Sequence, residues 1–160
     1  MYKRQAKRVA DKTKEIGAKL SFDVNFRKDI FRDFDAAKRA YEPFVKCADI
    51  VKFSEDELLD FTGISGIDAA AESLCDKDKL ILVTLGKNGS AYYFNGEKGV
   101  VPSEYKCKSV DTTGAGDAFF GAFLAAIENK KPTKESIVSA MRKGNEKGAK
   151  TTEFFGAIKL

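Results

Sequence analysis

Apolar side chains at Tyr2, Ala6, Val9 and Ile16, with charges between them, give the start of the chain the spacing of an amphipathic helix. The segment KLSFDV (19–24) then reads as a short strand entering the loop NFRKDIFRDF. DAAKRAYEPFVKCA (35–48) predicts a second helix, with Pro43 set late in it as a break or kink. DIVKF (49–53) is a second strand. Ser54 follows as an N-cap, and Glu57 three residues later completes a capping box that opens SEDELLDFTG. IDAAAESLCDKD reads as another helix. KLILVTLG (79–86) is a continuous aliphatic run, the pattern of a strand buried on both faces. GKNGSAYYFNGEKGVV continues as a hairpin with turns at Asn88-Gly89 and Asn95-Gly96. A helix is expected from residue 115 to 128, and Pro132-Thr133 starts the last one, SIVSAMRKGNEKGAK. Strands alternate with helices, which predicts an α/β class with a mostly parallel sheet. A helix ahead of the first strand is how a βαβ unit looks with its opening strand removed. The chain therefore reads as beginning in the middle of a domain, over a single region spanning 1–160.

Composition narrows the chemistry. The 160 residues suffice for one core, with 43% hydrophobic and 32% charged residues. No apolar stretch approaches the length of a membrane span, and MYKRQAKRVADKTKEIG lacks an apolar signal core, so a cytoplasmic location is expected. The three cysteines, Cys47, Cys75 and Cys107, are far apart and form no C-x-x-C pair, which argues against disulfides and zinc. A net charge of +4 is modest, and the lysines of ENKKPTKES and RKGNEKGAK are interleaved with acids. Solvated faces are expected there, not a nucleic-acid surface. Histidine is absent. That excludes Ser–His–Asp and Cys–His catalysis and leaves proton transfer to Asp, Glu, Lys, Tyr or Cys. Phosphoryl transfer, which depends on positioning and charge, passes this filter.

The most informative stretch is DTTGAGDAFFG (111–121), three small residues before a carboxylate and an apolar run. Phe119 stands where a dinucleotide G-x-G-x-x-G would need glycine, and no G-x-x-x-x-G-K-[ST] occurs. What remains is T-G-A-G-D opening a helix. Small residues let successive N–H groups converge, and the helix N-terminus adds partial positive charge, so the turn can hold an anion. Asp117 in the first turn is placed to take a proton from an attacking hydroxyl. A tight glycine turn with Asp117 favouring the helix dipole is the plainer reading of the same residues.

The longer string SVDTTGAGDAFFGAFLAA resembles the C-terminal signature of the ribokinase-like (PfkB) family of carbohydrate kinases. Other stretches agree in order. FDVNFRKDIF resembles that family's D-P-N-x-R segment, VKFSEDEL its N-x-x-E element, LVTLGKNGSAYYF its T-L-G-x-x-G hairpin and FFGAI its closing segment. The resemblance covers essentially this whole chain but only the C-terminal half of a typical member, and within the family it is closest to fructokinases. It implies a ribokinase-like three-layer α/β/α sandwich, incomplete here, with the N-terminal sugar-binding and lid part absent.

The resemblance also implies roles. Asp117 would be the base that deprotonates a sugar's primary hydroxyl, and the amides of Gly114, Ala115 and Gly116 would hold the transferred phosphoryl group. Glu57 would orient water bound to Mg²⁺. Ser54, standing where the family has Asn, would join Thr84, Gly86, Gly89 and Asn145 around ATP. Arg27 would reach substrate or phosphate. Asp111 and the Thr113 carbonyl would bind the K⁺ that some members use. The implied activity is ATP-dependent phosphorylation of fructose, with 2-keto-3-deoxygluconate as the alternative acceptor and a non-catalytic nucleotide-binding module as the alternative class. The piece by itself is expected to be nearly inactive, because phosphoryl transfer needs the acceptor oxygen held at the phosphorus. An incomplete domain would expose an apolar face, which suits a homo-oligomer or the missing N-terminal half as partner.

Overall fold

The computed structural model describes residues 2–26 and 33–157, with side chains of the first helix from Arg8 onward. Five strands, β1 (Ser21–Asp23), β2 (Ile50–Ser54), β3 (Leu80–Thr84), β4 (Ser90–Phe94) and β5 (Glu97–Val101), are hydrogen-bonded in chain order. Six helices accompany them: α1 (Tyr2–Glu15), α2 (Phe34–Cys47), α3 (Glu55–Thr62), α4 (Ile67–Glu72), α5 (Ala115–Ile127) and α6 (Lys134–Thr151). β1 and β2 are parallel, in a register that sets Ser21 opposite Ile50 and Asp23 opposite Lys52. β4 and β5 are joined by Asn95-Gly96, with φ of 48° and 81°, the double positive φ of a tight hairpin turn. The chain forms two compact units, Met1–Leu82 with Tyr93–Gly96, and Val83–Tyr92 with Glu97–Leu160.

In the first unit, Val51, Phe53, Leu58, Ile81 and Leu82 are fully buried. The β1–β2 register puts Asp23 and Lys52 side by side, and Lys52 Nζ donates to both carboxylate oxygens at 3.0 and 3.2 Å. Burial pushes the Asp23 carboxyl upward against the pull of that ammonium. The break expected at Pro43 does not occur: α2 runs through it to Cys47. Its last carbonyls are closed from outside, since the buried Lys79 donates to Val45 O at 2.7 Å and Lys46 O at 2.9 Å. α4 is shorter than the pattern IDAAAESLCDKD suggests, ending at Glu72. The residues beyond it are drawn into a turn, where Asp78, at a φ of 60°, exchanges hydrogen bonds with Asn95.

In the second unit, α5 and α6 are packed face to face, and α6 brings small residues to that seam. A Cβ built on Gly144 would lie 2.8 Å from the Phe119 ring, and one on Gly148 would lie 3.0 Å from the Ala115 carbonyl. Phe123, Ile137 and Met141 are fully buried. Thr133 and Ser136 form a capping box that starts α6. The seam admits little extra volume. Gly144→Leu is therefore expected to lose about 1–3 kcal/mol of unfolding free energy by overpacking against Phe119, read as a lower midpoint in urea at unchanged slope.

Candidate functional site

The turn before α5 is shaped by three constraints. Gly114 is the N-cap, with a left-handed φ of 77°, and contributes no side chain to close the first-turn amides. A Cβ there would stand 2.5 Å from the Ala157 methyl, so the chain's closing segment lies directly on the turn. Asp111 ties the two together: Oδ1 accepts from Thr113 N (2.9 Å) and Thr113 Oγ1 (2.7 Å), and Oδ2 accepts from Gly156 N (2.9 Å). These bonds, the one from Gly156 first, hold the Asp111 carboxyl below the usual carboxylate range. Of the three amides named for the anion site, that of Ala115 already donates to Thr112 O at 3.2 Å.

A cavity of about 620 Å³ opens beside this turn, within the size range of small-molecule sites. Its lining includes Thr84, Gly86, Gly89, Ala115, Gly116 and Asn145. The hairpin bend and the start of α5 thus face one space, all within the second unit. Asp117 is exposed and follows directly on the lining residue Gly116. Gly89 has no substitute: at φ 95° its backbone runs so close to the end of β5 that a Cβ would meet Val101 O at 2.2 Å. Asn145 is buried at 8% exposure.

Several lining residues were not foreseen. Ser103, Tyr105, Lys106, Cys107 and Ser109 form one wall, with Lys87 and Thr112 near the turns and Phe119, Gly148, Ala149 and Thr152 from the helices. Tyr105 donates to Glu153 at 3.2 Å and carries the Lys150 ammonium over its ring at 5.1 Å. Along this segment half-buried Ser103, Tyr105 and Cys107 alternate with exposed Glu104, Lys106 and Lys108, the period of an extended chain.

Ser54 and Glu57 belong to the first unit. Ser54 caps α3, accepting from Glu57 N at 3.3 Å. The Glu57 carboxylate accepts from Ser54 N at 2.7 Å and from Phe26 N at 2.8 Å. The capping box is thus also a tether for the segment after β1. Arg27 lies outside the described residues. Among the described residues, no three His, Cys, Asp or Glu side chains gather to hold a metal ion.

Residues 3–159 match the pfkB family of carbohydrate kinases. The chain is 41% identical over 157 residues to fructokinase-1 of Zea mays, covering 94% of this chain and 48% of that protein. It superposes with a TM-score of 0.88 on fructokinase from Vibrio cholerae O395 in its fructose-, ADP- and calcium-bound form, at 32% identity over 95% of this chain and 50% of that one. Aminoimidazole riboside kinase from Salmonella enterica, in complex with aminoimidazole riboside and an ATP analogue, gives 0.82 at 29% identity, covering 92% and 50%. The fold is the ribokinase-like α/β fold. This chain spans about half the length of these relatives.

The lowered Asp111 pKa fixes the sign of its pH dependence. Its contribution is present above the unfolded carboxylate value, about 3.9, and is lost as pH falls through the lower folded value. Asp111→Ala is expected to be less stable than the parent at pH 7, with the gap closing toward pH 3 in paired urea titrations.

Proposed function

The chain belongs to the pfkB family of carbohydrate kinases, and from that premise we propose that it carries the nucleotide-binding and catalytic part of a sugar kinase with fructose as acceptor. The observation that supports this best is the single cavity shared by the 84–89 bend and the first turn of α5. In this reading ATP lies along that cavity. Thr84, Gly86 and Gly89 border its phosphates, and the Asn145 side of the space takes the base. Ser54 serves through the α3 cap, where it fixes Glu57.

Asp117 removes the proton of the sugar's primary hydroxyl. The resulting oxygen attacks the γ-phosphorus, the bond to the bridging oxygen breaks, and ADP leaves with that electron pair. Charge building on the phosphoryl oxygens is met by the Gly116 amide and the open N-terminus of α5. Gly114 and Ala115 act differently from Gly116, the first through its φ and the second by closing the turn. By the resemblance, Arg27 would bind substrate or phosphate.

A divalent ion, Mg²⁺ in this proposal, would supply charge neutralisation on the phosphates and would be held mainly by them and by water. By the resemblance, Glu57 would orient a water bound to such an ion; its own oxygens accept from Phe26 N and Ser54 N. For a K⁺ ion, Asp111 Oδ1 is already used twice, which leaves Oδ2 and the Thr113 carbonyl as donors. In this reading the part that this chain does not span, about half the length of its relatives, supplies most of the acceptor site.

Steady-state assays of ADP formation on the full-length protein test the proposal, with fructose, 2-keto-3-deoxygluconate and aminoimidazole riboside compared as acceptors. Asp117→Asn is expected to lower kcat about 10²–10⁴-fold while nucleotide affinity stays at the parental value. Parental turnover in that variant would remove Asp117 from the mechanism, and the isolated chain is expected to show almost none.

A further inference from the structure

We infer that Ser90 and Asn145 form one positioning device for the nucleotide cavity, in which Asn145 acts through the wall it fixes and not through an amide contact with the base. The inference rests on the nucleotide reading above and sharpens it. Asn145 Nδ2 donates to Val101 O at 2.9 Å and Pro102 O at 3.4 Å, and Oδ1 accepts from Ser90 Oγ at 2.9 Å. The amide nitrogen is thus engaged by two consecutive carbonyls, closely by that of Val101 and at longer range by that of Pro102. The orientation of the amide follows, because two carbonyl oxygens can face only the N–H side. A ligand that drew on the amide nitrogen would compete with the bonds that hold Val101 and Pro102.

The device joins three elements at one point. Ser90 is the first residue of β4, Val101 the last of β5, and Asn145 faces both from α6. Gly89, immediately before Ser90, approaches the same Val101 carbonyl so closely that no Cβ fits. Ser103, immediately after Pro102, begins the wall that runs to Ser109. The bend on one side of the cavity and the wall on the other are thus both fixed to α6 by one side chain. Ser90 is fully buried and does not line the cavity, so it cannot touch a bound nucleotide. That separates a positioning role from a contact role.

The test uses the full-length protein with a non-hydrolysable ATP analogue, measuring affinity by calorimetry, kcat and KM by steady-state assay, and amide hydrogen exchange over residues 101–109. Ser90→Ala is expected to weaken the analogue about tenfold, the effect of losing one buried hydrogen bond, with kcat held within a factor of two. Exchange over 101–109 should quicken by a similar factor. Asn145→Ala should weaken binding further, and adding Ser90→Ala to it should change nothing more. Asn145→Asp keeps the shape and the acceptor while removing both donors, and serves if the alanine variant does not fold. Parental affinity and exchange in Ser90→Ala, beside a weakened Asn145→Ala, would overturn the inference and make Asn145 a direct contact. Faster exchange in the variants of a parent that binds no analogue would support the device and reject the nucleotide reading.

Discussion

The second unit depends on how closely one helix is allowed to approach another. α6 presents Gly144 and Gly148 where any larger residue would meet Phe119 or the Ala115 carbonyl. Because those positions carry no side chain, the first turn of α5 rests on the backbone of its neighbour, and the amides at its start are held in place from behind. An anion site built from backbone amides gains from such rigidity, since its charge is already oriented before a ligand arrives. The αL glycine at 114 and the triple hydrogen bonding of Asp111 serve the same end from the loop side.

Much of this was readable beforehand, for identifiable reasons. The capping box at Ser54 and Glu57, the tight turn at Asn95-Gly96 and the aliphatic strand at 80–84 are local features, each dictated by a few adjacent residues. The string around Gly114–Asp117 taken alone also fits a plain glycine turn, and it gained meaning from the longer run SVDTTGAGDAFFGAFLAA that contains it. Pro43 does not end α2, which continues past it to a C-terminus closed by Lys79, 33 residues further on from Lys46. No local pattern can announce such a long-range cap. The truncation of α4 has a similar origin, in the pairing of Asp78 with Asn95 seventeen positions away.

Asn145 and the 103–109 wall show where reading by residue type reaches its limit. A polar residue in a helix rich in lysine and glutamate looks like solvent-facing surface, and only the positions of Ser90, Val101 and Pro102 reveal a buried amide. The wall residues carry no motif, and half-buried and exposed positions alternate along them. Glu57 presents the reverse situation. The capping role was plain, and the second bond, from Phe26 N, adds a tether that its spacing from Ser54 could not disclose.

The bond from Gly156 to Asp111 spans 45 positions, and the methyl of Ala157 fills the space left by the missing side chain at Gly114. During synthesis, the loop at 111–114 therefore leaves the ribosome without the partners that give it its form. It acquires that form only once the downstream helix has been made and folded back. Timing follows from geometry: a nascent chain halted between these two segments would hold every residue of the turn and still lack its shape.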